Sequence, residues 1–126
     1  MELLEPKDIP DGLSYPAALH RLAERGLSHM EPWFVFDASE AIKKMNGLRE
    51  RYPGRCLLPF AKREDNDDVA CFDRAYPGKA MIAHDFASPG WEHHSTLDSF
   101  YAWVRKAVED MIEFDSLEDE EQVSTK

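Results

Sequence analysis

The short connections between residues 56 and 84 constrain the fold of this chain more than any other feature. Three runs rich in apolar residues, Cys56–Phe60, Val69–Phe72 and Ala80–His84, have the composition of β-strands. The acidic segment Arg63–Asp68 separates the first two runs, and the turn sequence Tyr76-Pro77-Gly78 separates the second from the third. Because a parallel crossover needs about a dozen residues or more, these connections predict antiparallel hairpins.

Helical patterns flank these strands on both sides. The spacing of apolar residues predicts helices over residues 15–25 and 38–51, and the strongest helical periodicity covers Leu97–Ile112. The residues predicted to cap the three helices are Ser14, then Asp37 with Glu40 in the pattern of a capping box, and finally Ser95 or Thr96.

These elements predict an α+β fold: a single domain with a mainly antiparallel central sheet, about three flanking helices and a long C-terminal helix. The aromatic run Trp33–Phe36 adds a further strand. The predicted organisation is an N-terminal arm over residues 1–13, the domain over residues 14–114 and an acidic flexible tail over residues 115–126.

The charge of the chain restricts its partners. Its 126 residues contain 15 Lys and Arg against 25 Asp and Glu, which gives a formal net charge of −10. A nucleic-acid binder normally carries a basic surface, and an anionic membrane would repel this chain. The charge therefore predicts a basic protein partner, with solubility alone as the alternative explanation.

The sequence also indicates a cytoplasmic chain. It has no run of 18 apolar residues and no secretory signal at its first residues, so neither a membrane span nor export is predicted. The two cysteines, Cys56 and Cys71, are predicted to be reduced core residues, because small secreted domains usually contain more cysteines.

No catalytic motif occurs in the sequence, so we predict no enzyme activity, no cofactor and no metal site. The acidic run Asp65–Asp68 fails as an EF-hand loop, since Val69, Ala70 and Tyr76 occupy its fifth, sixth and twelfth positions. The pairs His84-Asp85 and His93-His94 are the weak alternative, a small metal-binding enzyme. They lack a ligand spacing typical of metal sites.

Acidic residues near the first hairpin are the candidate contacts to a basic partner. Trp91 follows a Pro-Gly sequence and is a candidate anchor, because exposed Trp residues contribute disproportionately to binding; packing against the domain is its alternative role. The predicted partner-binding residues are Glu64, Asp65, Asp67, Asp68, Asp73, Asp85, Trp91 and Glu92.

A series of short motifs also lies in a characteristic order along the chain. They are Glu31-Pro32-Trp33, Leu57-Leu58-Pro59-Phe60-Ala61, an acidic stretch, Val69-Ala70-Cys71-Phe72-Asp73, Gly78, a strand ending in His84-Asp85, and Ser99-Phe100-Tyr101-Ala102-Trp103. In this order and spacing the chain resembles the SUKH superfamily, domains similar to the yeast cell-wall synthesis regulator, over roughly residues 14–112. One departure is the loop over residues 62–68, which contains no Gly and is more charged than the family pattern.

The resemblance implies an α+β domain without shared catalytic residues. Most bacterial members are thought to be immunity proteins that neutralise toxins, many of them nucleases or nucleic-acid deaminases. The resemblance therefore implies that a cognate basic toxin domain is the partner. A housekeeping regulatory or scaffold module, the role attributed to the eukaryotic relatives, is the second hypothesis.

Overall fold

The computed structural model describes residues 1–124, and the side chains of residues 1–117. It is an α+β domain built on a six-stranded antiparallel sheet in which the strand order follows the chain order. The strands are β1 (His29–Met30), β2 (Trp33–Val35), β3 (Leu57–Arg63), β4 (Asp68–Asp73), β5 (Ala80–His84) and β6 (His93–Leu97). The α-helices are α1 (Ala17–Glu24), α2 (Ala38–Arg51) and α3 (Phe100–Ser124), and a short 3-10 helix covers Pro6–Asp8.

Local sequence signals place several elements as predicted. Strand β5 has the predicted bounds, and α2 begins at Ala38. The Glu40 amide donates to the Asp37 carboxylate at 2.9 Å, and the Asp37 amide donates to the Glu40 carboxylate at 3.0 Å, which completes the capping box. The antiparallel hairpins of β3, β4 and β5 confirm the prediction from the short connections.

Two helix caps were predicted wrongly. Residues 95 and 96 lie inside β6, a strand that the sequence did not predict. Ser99 caps α3 instead: its hydroxyl oxygen accepts a hydrogen bond from the Ala102 amide at 3.1 Å. Helix α1 begins at Ala17 with Pro16 in the cap position, so Ser14 is not its cap. The predicted caps are residue types that often cap helices, but the helices begin further along the chain, at Ala17 and Phe100.

The two ends of the chain also differ from expectation. The N-terminal arm contacts the domain: Leu4 is buried in the core, and the Ala38 amide donates to the carbonyl oxygen of Glu2 at 2.8 Å. Helix α3 continues through residues 115–124, so the helix ends later than predicted. The flexibility of the tail stays a prediction, and its residues 125–126 lie outside the described residues.

Both faces of the sheet are covered. Strands β3 and β4 are buried at consecutive positions, whereas a sheet with one face in water would alternate. Phe72 contacts Phe100 of α3, while the next residue, Asp73, points to the opposite face and binds Arg55. Arg55 lies in the connection between α2 and β3, so α3 and the α2 region lie on different faces.

A cluster of aromatic rings forms the core between the sheet and α3. Phe60 is fully buried and stacks on Phe72 with ring centroids 4.5 Å apart. Its ring also meets Trp103 edge to face at 4.9 Å, and Trp103 in turn meets Trp33 at 5.6 Å. Trp33 and Trp103 are both fully buried in this core. Among the described helices, none combines the length and apolar character needed to cross a membrane.

We expect Phe60→Ala to lower the free energy of unfolding by about 3–5 kcal/mol, because it removes the central ring of this cluster and leaves a cavity. Urea denaturation followed by circular dichroism measures the change. The matched control is Trp91→Ala, which truncates a ring that is 79 % exposed and should cost less than about 0.5 kcal/mol. Equal losses in the two variants would contradict the assignment of the core.

Candidate protein-binding surface

Three connections of the sheet lie at the same end of the domain. Because neighbouring strands are antiparallel, the β1–β2 turn, the β3–β4 loop and the β5–β6 loop share one end of the sheet. The Glu64 amide donates to the carbonyl oxygen of Pro32 at 2.8 Å, and the Asp85 amide donates to that of Asp67 at 3.1 Å. These two backbone hydrogen bonds join the three connections into a continuous surface.

Exposed carboxylates and exposed aromatic rings occur together on these connections. Four carboxylates and two aromatic rings on these connections are solvent-exposed. We define the acidic-aromatic surface as Glu31, Glu64, Asp65, Asp67, Phe86 and Trp91.

The carboxylates of the surface differ in how they are paired. Asp65 accepts two hydrogen bonds from Arg63, at 2.8 and 2.9 Å, and this pairing lowers the pKa of the Asp65 carboxyl. Glu64 lies 2.7 Å from the His29 ring. Glu31 and Asp67 form no ion pair with any side chain within the described residues. The two unpaired carboxylates are therefore the ones most available to a basic partner.

The two aromatic rings are presented by the β5–β6 loop. Trp91 is 79 % exposed, so it does not pack into the core, and Phe86 is 62 % exposed. Phe86 has φ of 62°, a left-handed conformation that is an outlier for an aromatic residue. The Arg51 guanidinium lies 4.2 Å from the centroid of the Phe86 ring and holds it as a cation–π contact.

Four of the predicted contact residues are buried rather than exposed: Asp68, Asp73, Asp85 and Glu92. The Asp68 carboxylate lies 2.6 Å from the His84 ring nitrogen. The Asp73 carboxylate accepts hydrogen bonds from Arg55 at 3.3 Å and from the Ala75 amide at 2.9 Å. Because their charges are used inside the domain, we withdraw these four residues from the set of direct contacts.

Asp85 is the most enclosed of the four, with 2 % of its surface exposed. Its carboxylate accepts hydrogen bonds from Lys44 at 2.9 Å, from Arg51 at 2.7 and 2.8 Å, and from the Phe86 amide at 2.9 Å. Burial by itself would raise the pKa of Asp85, but the bonds from Arg51 and Lys44 outweigh it and lower that pKa. Asp85 thus fixes the β5–β6 loop on helix α2.

Glu92 holds the other end of the same loop. Its Oε1 accepts a hydrogen bond from the Gly90 amide at 3.2 Å and lies 3.7 Å from the Arg55 guanidinium. Its Oε2 is buried without a hydrogen-bond partner. Burial opposes the charge on Glu92, yet the backbone bonds and Arg55 keep its pKa below the ordinary value. Trp91 is therefore followed directly by a buried, ion-paired residue.

The residues of the metal-enzyme alternative do not converge. Asp85 is occupied by Lys44 and Arg51, and the His93 ring bonds to the Thr96 hydroxyl at 2.9 Å. His84 and His94 lie near each other, with ring centroids 5.8 Å apart.

Burial raises the pKa of the Cys71 thiol strongly, so this thiol is not an activated nucleophile.

A different set of metal-ligating groups does come together at the surface. One donor atom each from His29, Glu31 and Glu64 lies within 4.8 Å of the others. Sequence reasoning missed His29 and Glu31 because it did not predict β1. The polar-apolar-polar alternation of residues 29–31 is a strand signal, but three residues are too few for it to stand out in the sequence.

No protein-family model, no curated protein and no solved structure matches this chain. The resemblance to the SUKH superfamily therefore stays a prediction from the motifs of the sequence.

We expect Asp85→Asn to lower the free energy of unfolding at pH 7 by about 3 kcal/mol, because it breaks a buried ion pair. This value is at the lower end of the usual cost, since Lys44 and Arg51 keep some contact with water. The lowered pKa of Asp85 means that this stabilisation is present above the ordinary pKa of an Asp carboxyl, about 3.9, and is lost as the pH falls through the lower folded-state pKa. The two proteins should therefore converge in acid. Urea denaturation at a series of pH values measures the difference.

The control for this variant is Asp98→Asn. The Asp98 side chain is 96 % exposed and, within the described residues, pairs only with Lys79 at 3.5 Å, so its loss should change stability by less than about 0.5 kcal/mol at any pH. A difference between wild type and Asp85→Asn that persists unchanged into acid would show that the carboxylate charge is not what stabilises the loop.

Proposed function

We propose that this chain is a non-enzymatic, cytoplasmic protein-binding domain that recognises a basic partner protein through the acidic-aromatic surface. The proposal rests on one observation: two exposed aromatic rings lie on the same joined loops as four exposed carboxylates, in a chain of net charge −10. Such rings suit a protein interface, since Trp is a preferred hot-spot residue.

The charge and the rings have separate roles in the proposed complex. The negative field attracts a basic protein over several ångströms and raises the association rate, which can reach about 10⁸–10⁹ M⁻¹s⁻¹ at low salt. Burial of Trp91 and Phe86 then slows dissociation, because the apolar surface of both rings must return to water when the complex opens. The ion pairs of Asp85 and Glu92 support this division, since they hold the loop that carries the rings before binding and reduce the ordering cost.

The resemblance to the SUKH superfamily extends the proposal to the kind of partner. We propose a bacterial toxin domain that acts on nucleic acid, either a nuclease or a deaminase, and an immunity role for this chain. Such a toxin needs positive charge to bind phosphates. An acidic protein that covers the substrate groove blocks the toxin without touching its catalytic residues.

The first test is genetic. We expect the product of the gene adjacent to this one to kill cells when it is expressed alone, and co-expression of this chain to restore viable counts. A harmless neighbour would favour the housekeeping module, which would use the same surface on an endogenous protein. Killing without rescue would contradict an immunity role toward that neighbour.

With the toxin in hand, we expect Trp91→Ala to raise the dissociation constant about 30-fold, the effect of a hot spot of about 2 kcal/mol. The change should fall mainly on the dissociation rate, because the variant keeps the charge of the surface. Surface plasmon resonance measures both rates. Unchanged affinity would remove the β5–β6 loop from the interface.

Asp67→Lys should instead slow association several-fold at low salt, and the effect should shrink as added salt screens the charges. The matched control is Glu24→Lys, which makes the same change in net charge on α1, beside residues 1–6. Equal slowing by both variants would mean that overall charge, rather than the acidic-aromatic surface, attracts the partner.

A further inference from the structure

We propose that His29, Glu31 and Glu64 form a surface binding site for a divalent transition metal, with Zn²⁺ as the best fit. This inference rests on the geometry of the chain itself and does not depend on the proposed function. One imidazole and two carboxylates are a donor set that zinc accepts, with the remaining position open to water.

The donor atoms are already close to a coordination geometry. The His29 Nε2 and Glu64 Oε1 atoms are 2.7 Å apart, and a donor atom of Glu31 lies within 4.8 Å of both. Two ligands of one tetrahedral zinc lie about 3.3 Å apart, given bonds of about 2.0–2.1 Å. The three side chains are exposed, so small rotations of the two glutamates suffice to close the site.

The backbone brings these residues together from two segments, His29 and Glu31 at the β1–β2 turn and Glu64 after β3. His29 pairs with Phe34 across β1 and β2, and the His29 ring packs edge to face on the Phe34 ring with centroids 6.4 Å apart. The Glu64 amide bonds to the carbonyl oxygen of Pro32, next to Glu31. Strand pairing thus fixes the positions of the ligands, which reduces the ordering cost of metal binding.

The local charges also favour a cation at this position. Among the described side chains, no Lys or Arg lies within 4.0 Å of the carboxylates of Glu31 or Glu64. The neighbouring Arg63 binds Asp65 and Asp110, and Lys62 donates to backbone oxygens. A cation between the two glutamates would relieve the repulsion between their charges. The imidazole ligand selects Zn²⁺ over the hard cations Mg²⁺ and Ca²⁺.

Isothermal titration of the full chain with ZnCl₂, after chelator treatment and buffer exchange, tests the proposal. We expect one Zn²⁺ per chain at this site, and no saturable binding of MgCl₂ at the same concentrations. His29→Ala and Glu64→Gln should each weaken zinc binding at least tenfold. Both replace exposed side chains, and circular dichroism should confirm that both variants remain folded.

The control is the double variant His84→Ala/His94→Ala, because these two histidine rings lie 5.8 Å apart and offer an alternative zinc site. Unchanged affinity in the control, with weakened binding in His29→Ala, supports the assignment. Absence of saturable zinc binding in the wild type would overturn it, and so would loss of binding in the control with retention in His29→Ala. Amide chemical-shift changes on zinc addition that cluster around residues 29–34 and 64 provide an independent readout of the location.

Discussion

The buried carboxylate of Asp85 holds together the parts of the molecule on which the candidate surface depends. Its side chain binds Lys44 and Arg51 of helix α2, and its backbone amide binds Asp67 in the β3–β4 loop. Taking a carboxylate out of water is costly, and here several donors with good geometry offset that cost. The same Arg51 lies against the Phe86 ring, so one ion-paired cluster sets both the path of the β5–β6 loop and the presentation of Phe86.

Signals that act within a few residues allowed a large part of the fold to be predicted. The capping box of Asp37 and Glu40 needs only four consecutive residues, and the hairpins of β3, β4 and β5 follow from the length of their connections. Interactions of this kind are local, so they are visible in the sequence. Strand β1 has two residues and the polar strand β6 resembles a loop, so neither has a pattern long enough to be recognised.

The candidate surface was harder to predict, because exposed and buried carboxylates look the same in a sequence. Asp67 and Asp68 are neighbours, yet one is exposed and the other is buried against His84. Asp67 lies in the β3–β4 loop, whereas Asp68 begins β4 and faces His84 of β5, and this difference is known only once the strand and its partner are known. The acidic segment was therefore predicted correctly as the connection between two antiparallel strands, whereas the burial of its individual residues required the tertiary structure.

The order of the strands has a consequence for how the domain folds. Every strand pairs with its neighbour in the sequence, and only the β2–β3 pair is interrupted by a helix, α2. Most pairings therefore close short loops, which carry a small entropic cost and favour rapid folding for a sheet of this size. The loops at the candidate surface are largely the hairpin connections themselves. The backbone of the surface is thus assembled largely as the strands pair, and the β5–β6 loop is the part that also depends on the contact with helix α2 through Asp85.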